Sequence, residues 1–219
     1  MVAWAAIVGK LAAMEIELKL TLAPADVARL RNLPLLSQYA AAPLHTENLL
    51  SIYFDTPDLY LQQHRSALRV RKTAAAWIQT FKGGGSVKGG LHQRHEWECE
   101  VPGAAVELSS LLALIDNPAA REILAQTGLA QQLQAVFTTE FARTVWMLQL
   151  AQDTVVELAL DLGEVSAGTA RAPICEIELE LKSGQLQVLL DFAQTLRQQL
   201  PLQPSNISKA QRGFALRHP

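Results

Sequence analysis

Glu176-Ile177-Glu178-Leu179-Glu180-Leu181-Lys182 decides the fold. Charged and aliphatic side chains alternate with a period of two, the signature of a strand with one charged and one apolar face. The pattern recurs outward from there. Glu15, Glu17 and Lys19 alternate with Ile16, Leu18 and Leu20, and Arg69 and Arg71 flank Val70. Arg94, Glu96, Glu98 and Glu100 share a face, as do Glu157 and Asp161, with Val156, Leu158 and Leu160 opposite. A single such strand is explained by a solvated sheet face. Recurrence along nearly the whole chain, with acids and bases segregated, requires more. The apolar faces need cover, and amphipathic segments are available to provide it. A closed antiparallel β-barrel of the α+β class, charged inside and with helices packed outside, meets all of these demands.

Helices are predicted between the strands. Pro24-Ala25-Asp26 opens one running to about Leu33, with proline in the first turn. Leu108 to Thr127 reads as helical, broken at Asn117-Pro118, with Gly128 as its stop. Gln185 to Leu200 is a third, ended by Pro201 and Pro204. Gly83-Gly84-Gly85-Ser86 and Gly89-Gly90 read as a flexible hairpin loop with Lys88 at its tip. No internal repeat or dividing linker is evident, so 14–219 is read as one domain. The alanine-rich residues 1–13 are expected to be a leader or misannotated start, since the alternation begins beside Met14.

Among the 219 residues, 49% are hydrophobic, enough for a sizeable core. The formal net charge of -2 provides no overall basic field, so nucleic acid and anionic membrane are not expected partners. No stretch is long enough for a transmembrane helix. The two cysteines, Cys99 and Cys175, form neither a disulfide framework nor a zinc cluster, which suggests the cytoplasm.

Glutamates at i, i+2 and i+4 stand about 7 Å apart between neighbours. They suit a hard cation such as Mg²⁺ or Mn²⁺, whose ligands are oxygens. A surface strand paired with lysines is the alternative. No Ser/His/Asp or Cys/His set is apparent. His45, His64, His92, His95 and His218 lack ligand spacing and read as surface or loop residues. Trp77, Trp97 and Trp146 read as helix-facing core.

A family resemblance extends this reading. Glu15-Ile16-Glu17-Leu18-Lys19 resembles the ExExK signature of the CYTH family of triphosphate tunnel metalloenzymes. Tyr53-Phe54-Asp55-Thr56, Ala67-Leu68-Arg69-Val70-Arg71 and Thr80-Phe81-Lys82-Gly83 are similar to successive motifs of that family. So are Arg94-His95-Glu96-Trp97-Glu98, Phe141-Ala142-Arg143, Asp161-Leu162-Gly163 and Glu176-Ile177-Glu178-Leu179-Glu180. Ser208-Lys209-Ala210-Gln211-Arg212-Gly213 resembles the closing SKxxRG element. The series spans Met14 to Gly213 in order.

The resemblance implies an eight-stranded tunnel with a basic substrate cradle and an acidic metal site. It implies Glu15, Glu17, Glu176, Glu178 and Glu180 as metal ligands or their close neighbours. It implies Lys19, Arg69, Arg71, Lys82, Arg94, Arg143, Lys209 and Arg212 as phosphate donors. Arg94 is alternatively neutralised by Glu96 and Glu98, and Asp161 is expected to orient a lysine or arginine. The implied activity is Mg²⁺- or Mn²⁺-dependent hydrolysis of a small triphosphate, inorganic triphosphate first. A class IV-type adenylate cyclase, a thiamine triphosphatase and a non-catalytic polyphosphate-binding module are the alternatives. The Gly83–Arg94 segment resembles bacterial members fused to a helical CHAD domain, so a standalone form or an excised domain is expected. The sequence leaves the oligomeric state open.

Overall fold

The computed structural model describes residues 10–217. The chain runs β1 (Lys10–Thr21), a 3-10 turn (Pro24–Asp26), α1 (Val27–Arg31), α2 (Pro34–Tyr39), β2 (His45–Asp55), α3 (Tyr60–Gln63), β3 (Ala67–Lys72), β4 (Trp77–Lys88) and β5 (Leu91–Val101). It continues through α4 (Leu108–Leu114), α5 (Pro118–Leu124), α6 (Leu129–Gln132), β6 (Gln134–Gln149), β7 (Val155–Ala167), β8 (Ala170–Ser183), α7 (Leu186–Gln199), β9 (Gln203–Pro204) and α8 (Lys209–Arg217). The antiparallel order β5-β4-β3-β2-β6-β7-β8-β1 closes through a further β5–β1 pairing. The short β9 adds to β1 at Leu20 and Thr21. This is the expected eight-stranded barrel.

Burial along β8 separates the barrel from a sheet with one solvated face. Glu176, Ile177, Glu178 and Leu179 are all buried, so both faces of the strand are covered. The outward Leu18, Leu20, Leu158, Leu160, Ile177 and Leu179 pack with Leu30, Leu36, Leu189 and Leu196 of the covering helices. On the opposite wall, Phe81 and Trp97 lie under Leu111, Leu124 and Leu129. The Trp97 indole donates to Asp116 Oδ1 at 3.2 Å, which satisfies its only polar group. Trp146 joins the first of these cores, and Trp77 is only half-buried. Among the described residues no helix is long and apolar enough to cross a membrane.

Helix α8 fills a different place. Its Phe214 packs edge-on against Phe137, with ring centroids 5.0 Å apart, and Phe137 stacks on Tyr53 at 4.4 Å. Phe141, Leu49, Val165 and Ile174 complete this cluster. Tyr53 also lines the interior cavity, so α8 plugs one end of the barrel and closes it with an apolar stopper. Gly213 is required there: a Cβ would stand 2.2 Å from the Phe137 ring.

Two local expectations change. β4 continues through Gly83–Ser86 as a strand with a register shift, and the turn is Gly89-Gly90. Lys88 pairs with Leu91 and is not the tip. A bulge preserves ladder pairing on either side, which a flexible loop would lose. β1 begins at Lys10, where Lys10 pairs with Glu98 and Ala13 with Glu96, so pairing starts before Met14. The remainder of the expected leader, residues 1–9, lies outside the described residues, as does His218.

Candidate active site

The inward faces of the strands meet in a cavity of about 190 Å³. Cross-strand register decides which charges become neighbours. Lys19 lies opposite Glu178, Glu17 opposite Glu180, Asp161 opposite Glu176, and Arg143 opposite Asp161. On the other wall Glu96 is opposite Lys82, Glu98 opposite Thr80, and Arg69 opposite both Thr80 and Tyr53. Directly opposed residues share a face, so one alternating pattern per strand places every one of these side chains inside.

Most of these charges are paired. Lys209 Nζ stands 2.6 Å from Asp161, 2.5 Å from Glu176 and 2.8 Å from Glu178. Arg143 grips Asp161 with two nitrogens, at 2.8 and 2.7 Å, and reaches Glu178 at 2.5 Å. Lys82 contacts Glu15 at 2.7 Å and Glu96 at 3.2 Å, and Arg69 stands 3.5 Å from Glu96 and from Glu98. Lys19 pairs with Glu17 at 2.6 Å and with Glu178. Thus Asp161 orients Arg143 and Lys209, as expected. Glu96 and Glu98 serve Arg69 and Lys82 and leave Arg94 without a carboxylate partner among the described residues.

Arg71 and Glu17 stand out from this network. Arg71 has no carboxylate partner among the described residues. It donates to Ser51 Oγ at 3.0 Å and lies over the Phe141 ring, 5.6 Å from its centroid. Burial, reinforced by Arg69 and Arg143, pulls its guanidinium down to about 10. Nearby, Arg69 Nε is buried with no acceptor. The Tyr53 phenol is held below its ordinary value because Arg69, Arg71 and Lys209 outweigh its burial. Arg71, Arg143 and Lys209 gather over the Phe141 ring. Burial and the neighbouring Glu178 push the Glu17 carboxyl up to about 7. Glu178 itself is held well below the carboxylate range, because Lys19, Lys209 and Arg143 outweigh its burial. Burial also raises Glu180.

Of the residues read from sequence, Glu15, Glu17, Lys19, Arg69, Arg71, Lys82, Arg94, Arg143, Glu178, Glu180 and Lys209 line the cavity. Glu176 and Arg212 do not. Arg212 bonds Glu176 and donates to the Pro173 carbonyl at 3.2 Å, which holds it in the wall at the end of β8. Asp161, Glu176 and Glu178 bring ligand oxygens within 4.8 Å of one another, a buried acidic cluster able to hold a metal. The Lys209 ammonium already contacts all three. The all-oxygen donor set and the undercompensated Glu17 fit a hard cation beside Glu178.

Matches to known proteins agree with this architecture. The CYTH domain model matches residues 13–214. The chain belongs to the CYTH domain family. Across 211 residues it is 36% identical to a curated CYTH relative, the inorganic triphosphatase of Haemophilus influenzae, covering 92% of this chain and 54% of that protein. The chain therefore spans about half the length of that curated relative. Two solved structures share the CYTH fold. A putative adenylyl cyclase from Hippeastrum, described as having a dominant triphosphatase activity, superposes with a TM-score of 0.65 at 20% identity, covering 92% of this chain and 96% of the other. A putative adenylate cyclase from Bacillus halodurans gives 0.59 at 20% identity, over 94% and 100% of the two chains.

His92 corrects the expectation that the histidines are surface or loop residues. It is buried on the cavity wall of this CYTH domain, where burial pushes its imidazole down to about 4. Its place two residues before Arg94 on the charged face was a usable signal, but an uncharged histidine does not mark an alternating pattern. Tyr53 belongs to the cavity for the same reason of parity with Arg69.

Proposed function

We propose that this CYTH domain hydrolyses inorganic triphosphate to phosphate and diphosphate in a reaction that requires bound Mg²⁺ or Mn²⁺. The observation that supports this most is one cavity lined by both buried cations and buried carboxylates, in which Arg71 has no carboxylate partner among the described residues and Glu17 is crowded by Glu178. Triphosphate carries about four to five negative charges near neutral pH, spread over many oxygens, and travels with a divalent ion. It answers the cations and the carboxylates together. Arg69, Arg71, Arg94, Arg143, Lys19, Lys82 and Lys209 donate to its oxygens, and their fixed geometry favours the charge that spreads as the phosphoryl group transfers. Glu17 and Glu178 hold the cation, with Glu15 and Glu180 flanking them. Glu176 acts through Lys209 and Arg212. When bound, the cation polarises phosphoryl oxygen and lowers the pKa of water. A polyanion-binding module without catalysis gains nothing from buried glutamates crowded against the substrate.

The inorganic triphosphatase relative supports the same substrate. The free thiols Cys99 and Cys175 support a cytoplasmic setting. A CHAD domain in a longer parent chain is consistent with the half-length match. The deciding experiment is product analysis with triphosphate and with ATP at equal concentration, under Mg²⁺ and then Mn²⁺. Phosphate and diphosphate should form faster from triphosphate, because a nucleoside replaces oxygens that the cavity wall would otherwise bind. Cyclic AMP as the main product from ATP would overturn the triphosphatase reading in favour of the cyclase.

A further inference from the structure

Arg94 lines both the central cavity and a second, outer cavity of about 810 Å³, whose wall includes Arg65, Gln211 and Phe214. It stands where the two meet. Its partner in the described structure is His92, whose Nδ1 lies 3.0 Å from Arg94 Nη2. A guanidinium only donates, so Nδ1 accepts and the imidazole hydrogen sits on Nε2. That Nε2 donates to the Ser205 carbonyl at 3.0 Å. Ser205 lies in the segment joining β9 to α8, just before Lys209. The segment is fastened at neighbouring points as well. Ser205 N donates to the Lys19 carbonyl at 3.0 Å, Lys19 N to the Gly90 carbonyl at 2.9 Å, and Gly90 N to Asn206 Oδ1 at 2.8 Å. A Cβ at Gly90 would stand 2.8 Å from the Lys19 carbonyl oxygen, so the hairpin turn meets β1 backbone to backbone.

We propose that His92 is a positioning residue for phosphate binding, aiming Arg94 into the junction of the cavities through Nδ1 and securing the approach to α8 through Nε2. The inference rests on the triphosphate reading of the cavity. Its reason is entropic and geometric. An arginine without a carboxylate partner has many rotamers, and holding it before substrate arrives removes an ordering cost from binding. The Gly-Gly-Leu-His-Gln-Arg stretch thereby acquires a role: the glycines turn and dock, the histidine fixes, the arginine binds.

The two ring nitrogens can be tested separately. Asparagine places an acceptor near the former Nδ1, and glutamine places a donor near the former Nε2. Triphosphate affinity without metal, KM, kcat and Tm are measured for the wild type, H92N, H92Q, H92L, R94A and H92L/R94A. H92Q and H92L should weaken binding and raise KM about tenfold, the loss of one charge-assisted contact, with kcat changed far less. H92N should recover most of the affinity, and R94A should add nothing to H92L, because both remove the same contact. If H92L fails to fold, the contrast between H92N and H92Q carries the test. Equal KM for H92N and H92Q, or additive effects of H92L and R94A, would overturn the inference. Wild-type protein that binds triphosphate while every His92 variant matches it overturns this inference alone. Wild-type protein that does not bind triphosphate overturns the underlying reading with it.

Discussion

Glu17 and Arg71 each give a prediction. In the folded chain the Glu17 carboxyl is raised from 4.5 to about 7 by burial and by Glu178, with Glu15 adding and Lys19 and Lys82 opposing. The folded state therefore holds this proton more tightly than the unfolded chain between those values. The contribution of Glu17 to stability is full below about pH 4.5 and falls as pH rises toward 7. Glu178 runs the other way, since its depressed pKa contributes stability that is lost in acid. Glu17→Gln isolates the first effect. Without metal the variant should lose the decline in Tm that Glu17 adds across that window, while metal-dependent turnover falls by about 100-fold or more. Pairwise Tm–pH curves and kinetics with Mg²⁺ check both; normal turnover in the variant would remove Glu17 from the metal site. Arg71→Ala removes a cation that has no carboxylate partner. It should raise KM by about 10- to 100-fold, the worth of a charged hydrogen bond, with Tm unchanged or higher. A large loss of Tm instead would show that Arg71 holds the wall together.

At the scale of elements, α8 joins stability to the site, because Phe214 anchors the plug while Lys209 enters the acidic cluster. Gly213→Ala forces a methyl into the Phe137 ring. It should destabilise by about 1–3 kcal/mol, the usual range for overpacking, and reduce kcat by displacing Lys209. Urea denaturation and steady-state kinetics test this, and unchanged values would mean that the helix shifts freely. The same helix marks the limit of the sequence reading. Strand parity puts Glu15, Lys19, Arg69 and Glu178 on the charged face that lines the cavity, since a period of two leaves only two faces to choose between. No helix is predicted beyond Leu200, because the nine residues Lys209–Arg217 carry too short an apolar pattern to mark one. The Gly83–Ser86 bulge was hidden because glycines carry no side-chain pattern. The early start of β1 was hidden by the alanines ahead of Met14, which do not alternate.

On the scale of the whole molecule, the proposed anion and cation sites share one cavity and should act together. Triphosphate and Mg²⁺ added jointly should raise Tm by more than the sum of their separate effects. Saturation near 100 times Kd stabilises by about 2.7 kcal/mol, or roughly 5–10 °C for a chain of this size. Differential scanning fluorimetry reads this directly, and strictly additive shifts would separate the two sites. The seam that closes the barrel has a further consequence. β1 precedes β5 and β8 in the chain and pairs with both, and α8 follows all eight barrel strands. During synthesis, then, β1 must wait for partners made later, and long-range pairing of this kind is slow to form. No closed barrel exists until β8 has emerged. Until then β1 presents an open strand edge, a template on which a neighbouring chain can pair wrongly.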